Sequence, residues 1–113
     1  MQADEYQEQL VAGQMTEQVL QTQVEQAAKV LGWRGYHTHD SRRSQAGFPD
    51  LVLVRGNRLI FAELKTQKGR VAAAQQAWLD DLTLLASWSS AAVEVYVWRP
   101  IDMVNGSLLE VLR

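Results

Sequence analysis

The sequence predicts an α/β domain whose elements follow one another as α-β-β-β-α-β, with a small terminal helix. Three observations carry this prediction. Apolar residues recur at helical spacing over residues 20–31, two short apolar runs flank Gly56-Asn57, and a second amphipathic stretch precedes the alternating segment AVEVYVWR. The chain has 113 residues, with 47% apolar and 21% charged side chains, as expected for one ordinary globular domain. The absence of cysteine excludes disulfide scaffolds, Cys-ligated zinc and thiol nucleophiles, and it fits a reducing compartment. The opening MQADEYQEQLVAGQMTEQ lacks the apolar core of a signal peptide, and no run reaches the roughly 20 apolar residues of a membrane span. A soluble, cytoplasmic protein without a membrane partner is expected.

Residues 1–14 are rich in Gln and acids and read as an N-terminal extension with a weak helical tendency over 4–10. Thr16 is a helix N-cap, with Glu17 in the first turn where the helix dipole favours an anion. Leu20, Val24, Ala27, Ala28 and Leu31 then mark one face, and Gly32 ends the run. Residues 33–39 form a first strand and 40–47 (DSRRSQAG) a loop. Leu51-Val52-Leu53-Val54 and Leu59-Ile60-Phe61-Ala62 enclose Arg55-Gly56-Asn57-Arg58, a two-residue hairpin turn with Gly at the first central position, as type II′ requires. Both runs are apolar on both faces, which places the hairpin centrally in a sheet covered on two sides. Residues 71–86 form a second helix with Val71, Ala74, Trp78, Leu82 and Leu85 along one stripe. Residues 92–99 make the fourth strand, halted by Pro100, and Ser107 caps a last helix over 108–112. The four tryptophans read as core, with base stacking by Trp33 or Trp88 lacking support.

The net charge is −2, but it is unevenly spread. Nine of the eleven basic residues fall between Lys29 and Arg70, where only Asp40, Asp50 and Glu63 oppose them, a balance of +6; the rest of the chain stands at −8. Such segregation fits a protein that meets a polyanion, although side chains solvated on strand ends and turns give the same statistics.

The hairpin turn fixes a register in which paired residue numbers sum to 113, so Val52 faces Phe61 and Asp50 faces Glu63. Opposed like charges destabilise a sheet. Either one carboxyl is protonated or a cation lies between the two. Strand alternation puts Lys65 on the face of Glu63. Two hard carboxylates suit Mg²⁺ or Mn²⁺, which polarises a phosphodiester and generates hydroxide from water; Lys65 would orient that water or stabilise developing charge. A simple ion pair at a strand end fits the same three residues equally well. His37 and His39, at i, i+2, are better read as loop-edge histidines than as metal ligands, with Arg42 and Arg43 placed to reach phosphates. Lys68 and Arg70 are further candidate DNA contacts beside His39.

Gly47-Phe48-Pro49-Asp50, then Glu63-Leu64-Lys65, then Gln75 followed by Trp78 resemble the PD-(D/E)xK nuclease superfamily, and within it the virus-type replication-repair nuclease (VRR-NUC) family. Met15-Thr16-Glu17 with Gln21, Gly32-Trp33, His37-Thr38-His39-Asp40-Ser41-Arg42-Arg43 and Val97-Trp98-Arg99-Pro100 are similar to stand-alone, often phage-borne, members. The resemblance spans residues 15–113 and implies a restriction-endonuclease-like α-β-β-β-α-β core with a central mixed sheet flanked by helices. It further implies that Asp50, Glu63 and the backbone carbonyl of Leu64 bind Mg²⁺ or Mn²⁺. It makes Lys65 the catalytic lysine, Glu17 an assisting helix acid and metal ligand, and Gln75 the motif glutamine. Gln75 also lies on the core-facing stripe, where an amide needs a partner; Glu25 is a second helix acid outside the motif. The link Ser87-Trp88-Ser89-Ser90 departs from the Gly-containing turn of related sequences.

The expected activity is metal-dependent DNA endonuclease, selective for branched DNA and similar to Holliday-junction resolvases. Two coordinated cuts then require a homodimer, in a bacterial or phage-infected cell. A flap or single-strand nuclease, or a DNA-binding module without turnover, are the alternatives, and the chemistry does not separate DNA from RNA. No G-x-x-x-x-G-K-[ST] loop is present, so no nucleotide cofactor is expected.

Overall fold

A computed structural model describes residues 3–39 and 45–113. Its elements are α1 (Ala3–Gln14), α2 (Glu17–Val30), β1 (Arg34–His37), β2 (Leu51–Arg55), β3 (Arg58–Leu64), α3 (Ala73–Trp88), β4 (Ala92–Trp98), α4 (Pro100–Val104) and α5 (Ser107–Leu112). The strands form one sheet in the order β1-β2-β3-β4; the first two pairings are antiparallel and β3 pairs β4 in parallel. Parallel neighbours need a crossover, which α3 supplies. The result is a mixed sheet flanked by helices, compatible with a restriction-endonuclease-like core.

The hairpin follows the register its turn dictates, with Arg55 facing Arg58, Val54 facing Leu59 and Val52 facing Phe61. Gly56 has φ 60° and no non-glycine residue among those described has positive φ, so the turn matches the type II′ pattern rather than I′. On one sheet face Leu51, Leu53, Ile60, Ala62 and Leu64 pack with Leu20, Val24 and Ala28 of α2 and Leu108 and Leu112 of α5. Each Leu, Ile or Val among them contributes about 1.5–3 kcal/mol when fully buried, and each Ala less. Thr16 caps α2 by accepting from the Val19 N–H at 3.1 Å.

On the other face α3 packs on β4, and Phe48 bridges Phe61 of β3 and Trp78 of α3 edge-on. The α3 stripe differs from expectation. The helix starts at Ala73, Leu79 is its fully buried residue, Gln75, Trp78, Leu82 and Ala86 are half-buried, and Ala74 and Leu85 are exposed. Apolar residues spread over an arc of this helix much wider than the covered side, so the period alone does not pick that side.

Trp33 lies just before β1 and is buried; its Nε1 donates to Leu112 O at 2.8 Å, and the Arg55 and Arg58 guanidiniums stand 4.5 and 4.9 Å from its ring centre. Trp98 is buried and stacked on Tyr96. Trp88 corrects the core reading of the tryptophans: it is 81% exposed at the end of α3, beside the exposed Leu84 and Leu85.

The first helix is longer than the weak tendency over 4–10, and it packs on α4, with Ala12 fully buried. The sequence reading missed α4. Pro100, which ends β4, also starts a helix, because its fixed φ and missing N–H suit the first helical position. Asp102 Oδ2 then accepts from the Arg99 N–H at 2.8 Å. The last helix begins at Ser107, so its N-cap is Gly106, at φ 85°, and not Ser107. Among the described residues no helix is long and apolar enough to cross a membrane.

Candidate active site

The segment Gly47-Phe48-Pro49-Asp50 enters the sheet wedged against α3. Gly47 has φ 91°, and a Cβ there would lie 2.5 Å from the Ala74 carbonyl group and 2.8 Å from Gln75 N. Glycine alone allows this approach. Pro49 is buried and its carbonyl accepts from Thr38 Oγ1 at 2.8 Å. The Thr38 N–H donates to Asp50 O at 2.8 Å. From the other side, Asp50 Oδ2 accepts from the Leu64 N–H at 2.8 Å. Asp50 is therefore tied to the strand that carries the second acid, as the hairpin register required.

Glu63 is 1% exposed, and both its carboxylate oxygens lack a hydrogen-bond partner among the described residues. Burial, reinforced by the negative charge of Asp50, pushes its carboxyl up to about 8, with Lys65 pulling the other way. Lys65 Nζ lies 3.7 Å from Glu63 Oε2, and the Lys65 N–H donates to Trp98 O at 3.0 Å, which docks the lysine backbone on β4. Buried polar atoms are normally satisfied, so two orphaned oxygens on one side chain call for a proton or a cation. The donor set, hard oxygens from two carboxylates, fits a small divalent cation.

The structure does not bring every expected residue to this point. Glu17 is exposed at the first residue of α2 and Glu25 lies half-buried further along that helix; no cluster of three or more His, Asp or Glu that could hold a metal occurs among the described residues. Gln75 is half-buried, but its Oε1 accepts from the Ala72 N–H at 2.8 Å, so its carbonyl caps its own helix. His37 and His39 have ring centres 4.3 Å apart, and the register sets His37 beside Leu51 on the sheet face opposite Glu63. Arg42 and Arg43 lie outside the described residues.

Lys68 and Arg70 are exposed on the loop that leaves Lys65. That loop is held by Arg99, whose Nη1 donates to Thr66 O and Gly69 O, both at 2.7 Å. In the sequence Arg99 figures only within Val97-Trp98-Arg99-Pro100, with no role of its own. Its signal was a charged residue between a buried-strand pattern and a proline.

The chain matches the family model described as the VRR-NUC domain over residues 1–96, a span that includes α1 and ends within β4. No curated protein and no solved structure matches it.

Proposed function

The chain belongs to the VRR-NUC domain family, a nuclease family, and from that premise we propose that it is a divalent-metal-dependent endodeoxyribonuclease with its site at Asp50, Glu63 and Lys65. The observation that carries this reading is the Glu63 carboxyl, buried beside Asp50 with no hydrogen-bond partner for either oxygen among the described residues and the Lys65 ammonium 3.7 Å from one of them.

Asp50 and Glu63, with the backbone carbonyl of Leu64, would hold Mg²⁺ or Mn²⁺. When bound, such an ion polarises a phosphoryl oxygen and lowers the pKa of water. The chain's own groups do the rest. The Leu64 N–H fixes one Asp50 oxygen and thereby the orientation of that carboxylate. Lys65 brings a positive charge to the pair and offers N–H donors to orient the attacking water and to stabilise charge developing on the phosphoryl oxygens. Water gives up a proton as its oxygen adds to phosphorus, one P–O ester bond breaks, and the departing oxygen takes up a proton in its place, so that the net exchange is one water consumed per bond cut. Lys68 and Arg70 contact flanking phosphates, joined by His39, Arg42 and Arg43. Gln75 acts indirectly, by holding the helix start on which Gly47 rests.

The substrate class proposed is branched DNA, with cutting like that of a junction resolvase by a homodimer carrying two sites. The test is cleavage of labelled four-way junction, flap, duplex and single-stranded DNA with Mg²⁺, Mn²⁺ or EDTA, beside Lys65→Ala. Symmetric, metal-dependent nicking of the junction, lost in the variant, is the expected result. Cutting of flaps or single strands alone would retain the chemistry and discard the resolvase assignment. Binding without any cutting would make the chain a DNA-binding module.

A further inference from the structure

Immediately after Lys65 the chain turns through residues 66–69, and one face of α1 stands across from that turn. Between them lies a cleft of about 580 Å³, bounded by Tyr6, Gln9 and Gly13 of the helix and by Thr66, Gln67 and Lys68 of the turn. This volume falls within the range of pockets that hold small ligands.

Both walls are anchored. The turn is fixed by Arg99 through Thr66 O and Gly69 O, and Gln67 Oε1 accepts from the Ile101 N–H at 3.0 Å. The helix packs on α4, the element that Arg99 and Pro100 begin. The turn also folds back on the lysine, since a Cβ on Gly69 would lie 3.7 Å from Lys65 Cδ.

The chemistry of the walls is selective. Tyr6, Gln9, Leu10 and Gly13 follow i, i+3, i+4, i+7 and so share one helix stripe. The first half of α1 carries Asp4, Glu5 and Glu8, yet none of these borders the cleft, and Asp4 and Glu8 line a separate depression beside Val104. The cleft therefore presents an aromatic ring, amide side chains and the ammonium of Lys68. The Tyr6 side is open to solvent, with the residue 59% exposed. A ring, amides and one cation are the set that holds a single unstacked nucleotide.

We infer that this cleft receives a nucleotide of an unpaired strand adjoining the bond that is cut: Tyr6 stacks on its base, Gln9 meets the base edge and Lys68 takes its phosphate. This rests on the nuclease reading above and deepens it: a flap or single-stranded arm offers an unstacked base directly, and a four-way junction offers one where the pairs at its branch point open.

The test is fluorescence anisotropy in EDTA with the full chain, on a labelled single-stranded oligonucleotide, a duplex, and a duplex bearing a single-stranded arm. Tyr6→Ala should reduce the preference for the single strand and the armed duplex over plain duplex by about tenfold, within the span that base–aromatic stacking supplies. Tyr6→Phe should retain that preference. Lys68→Ala should lower the salt dependence of single-strand binding by about one counterion. An unchanged preference in Tyr6→Ala, or the same loss in Tyr6→Phe, overturns the inference. Wild-type cleavage of the same DNAs with Mg²⁺ or Mn²⁺ separates the two readings. If wild type cuts and Tyr6→Ala keeps its preference, the cleft inference fails alone. If wild type cuts nothing while Tyr6→Ala shows the loss, the nuclease reading fails and the cleft stands.

Discussion

Glu63 combines three conditions that rarely coincide in one carboxyl: burial, a second carboxylate beside it and a lysine at 3.7 Å. Its carboxyl titrates at about 8 in the folded chain against an ordinary value of 4.5, so the folded state binds the proton more tightly than the unfolded one. Stability from this group is fully present below the unfolded value and is lost as pH rises through the folded one. In EDTA the wild type should therefore lose a few kcal/mol between pH 5 and 9, at up to about 1.4 kcal/mol per unit of pH. Glu63→Gln should flatten that slope and be the more stable protein at pH 9. Thermal melts of both across this range check the point, and equal slopes would contradict it. On the proposed metal site, Mn²⁺ should raise the wild-type melting temperature at pH 8 and leave that of Glu63→Gln nearly unchanged. Lys65→Ala should reduce DNA cleavage by about 10²-fold or more, the loss typical of removing one donor aimed at developing charge. Single-turnover rates at saturating DNA measure it.

Between the residue and the molecule stand two segments that flank the candidate site and position it. Gly47→Ala would place a methyl group 2.5 Å from the Ala74 backbone at φ 91°. A loss of about 2–4 kcal/mol is expected, with a fall in activity as Asp50 is displaced; denaturant unfolding and cleavage rates test both. Arg99→Ala should free the loop after Lys65, costing about 2–3 kcal/mol for hydrogen bonds made by a charged donor. Arg99→Lys should restore only part of this, because an ammonium does not reproduce the planar fork; hydrogen exchange over 66–70 reads the difference. These segments also show what the sequence made legible. Turn chemistry at Gly56-Asn57 determined the hairpin register, and with it the meeting of Asp50 and Glu63, because a two-residue loop leaves no freedom to slip. The covered side of α3 was not legible, since the apolar arc of that helix is much wider than the face it buries. Nor was α4, because Pro100 signals a strand end and a helix start alike. Gln75 stood out as an amide on a helix that covers the sheet, but whether it serves the site or its own cap is a tertiary fact: the backbone of Gly47 occupies the space beside it.

At the scale of the whole molecule, the positive balance of residues 29–70 is smaller in effect than in count. Arg55 is committed inside, donating to Leu31 O, Leu112 O and Arg113 O at 2.8–3.0 Å and fastening the C-terminus. Arg58 forms a two-pronged pair with Glu94 at 2.8 Å and also donates to Val111 O. Lys65 is spent on Glu63. Among the described residues, that leaves Lys29, Arg34, Lys68 and Arg70 exposed in this stretch, and the last two stand on the loop that leaves Lys65. The salt dependence of DNA binding separates these roles, because log affinity falls against log salt with a slope of about −0.9 per neutralised phosphate. Replacing Lys68 and Arg70 together by Ala should weaken binding to every DNA and make the slope shallower by about 2. Arg55→Ala should leave the slope as it is and instead lower stability by about 2–3 kcal/mol, because Leu31 O and Arg113 O lose this charged donor and Leu112 O is left with Trp33 Nε1. Titrations from 50 to 200 mM KCl, about the range over which counterion release is steep, distinguish the two variants. A slope change in Arg55→Ala equal to that of the double variant would mean that the basic segment acts as one surface. An unchanged slope would confine the phosphate contacts to the loop that leaves Lys65.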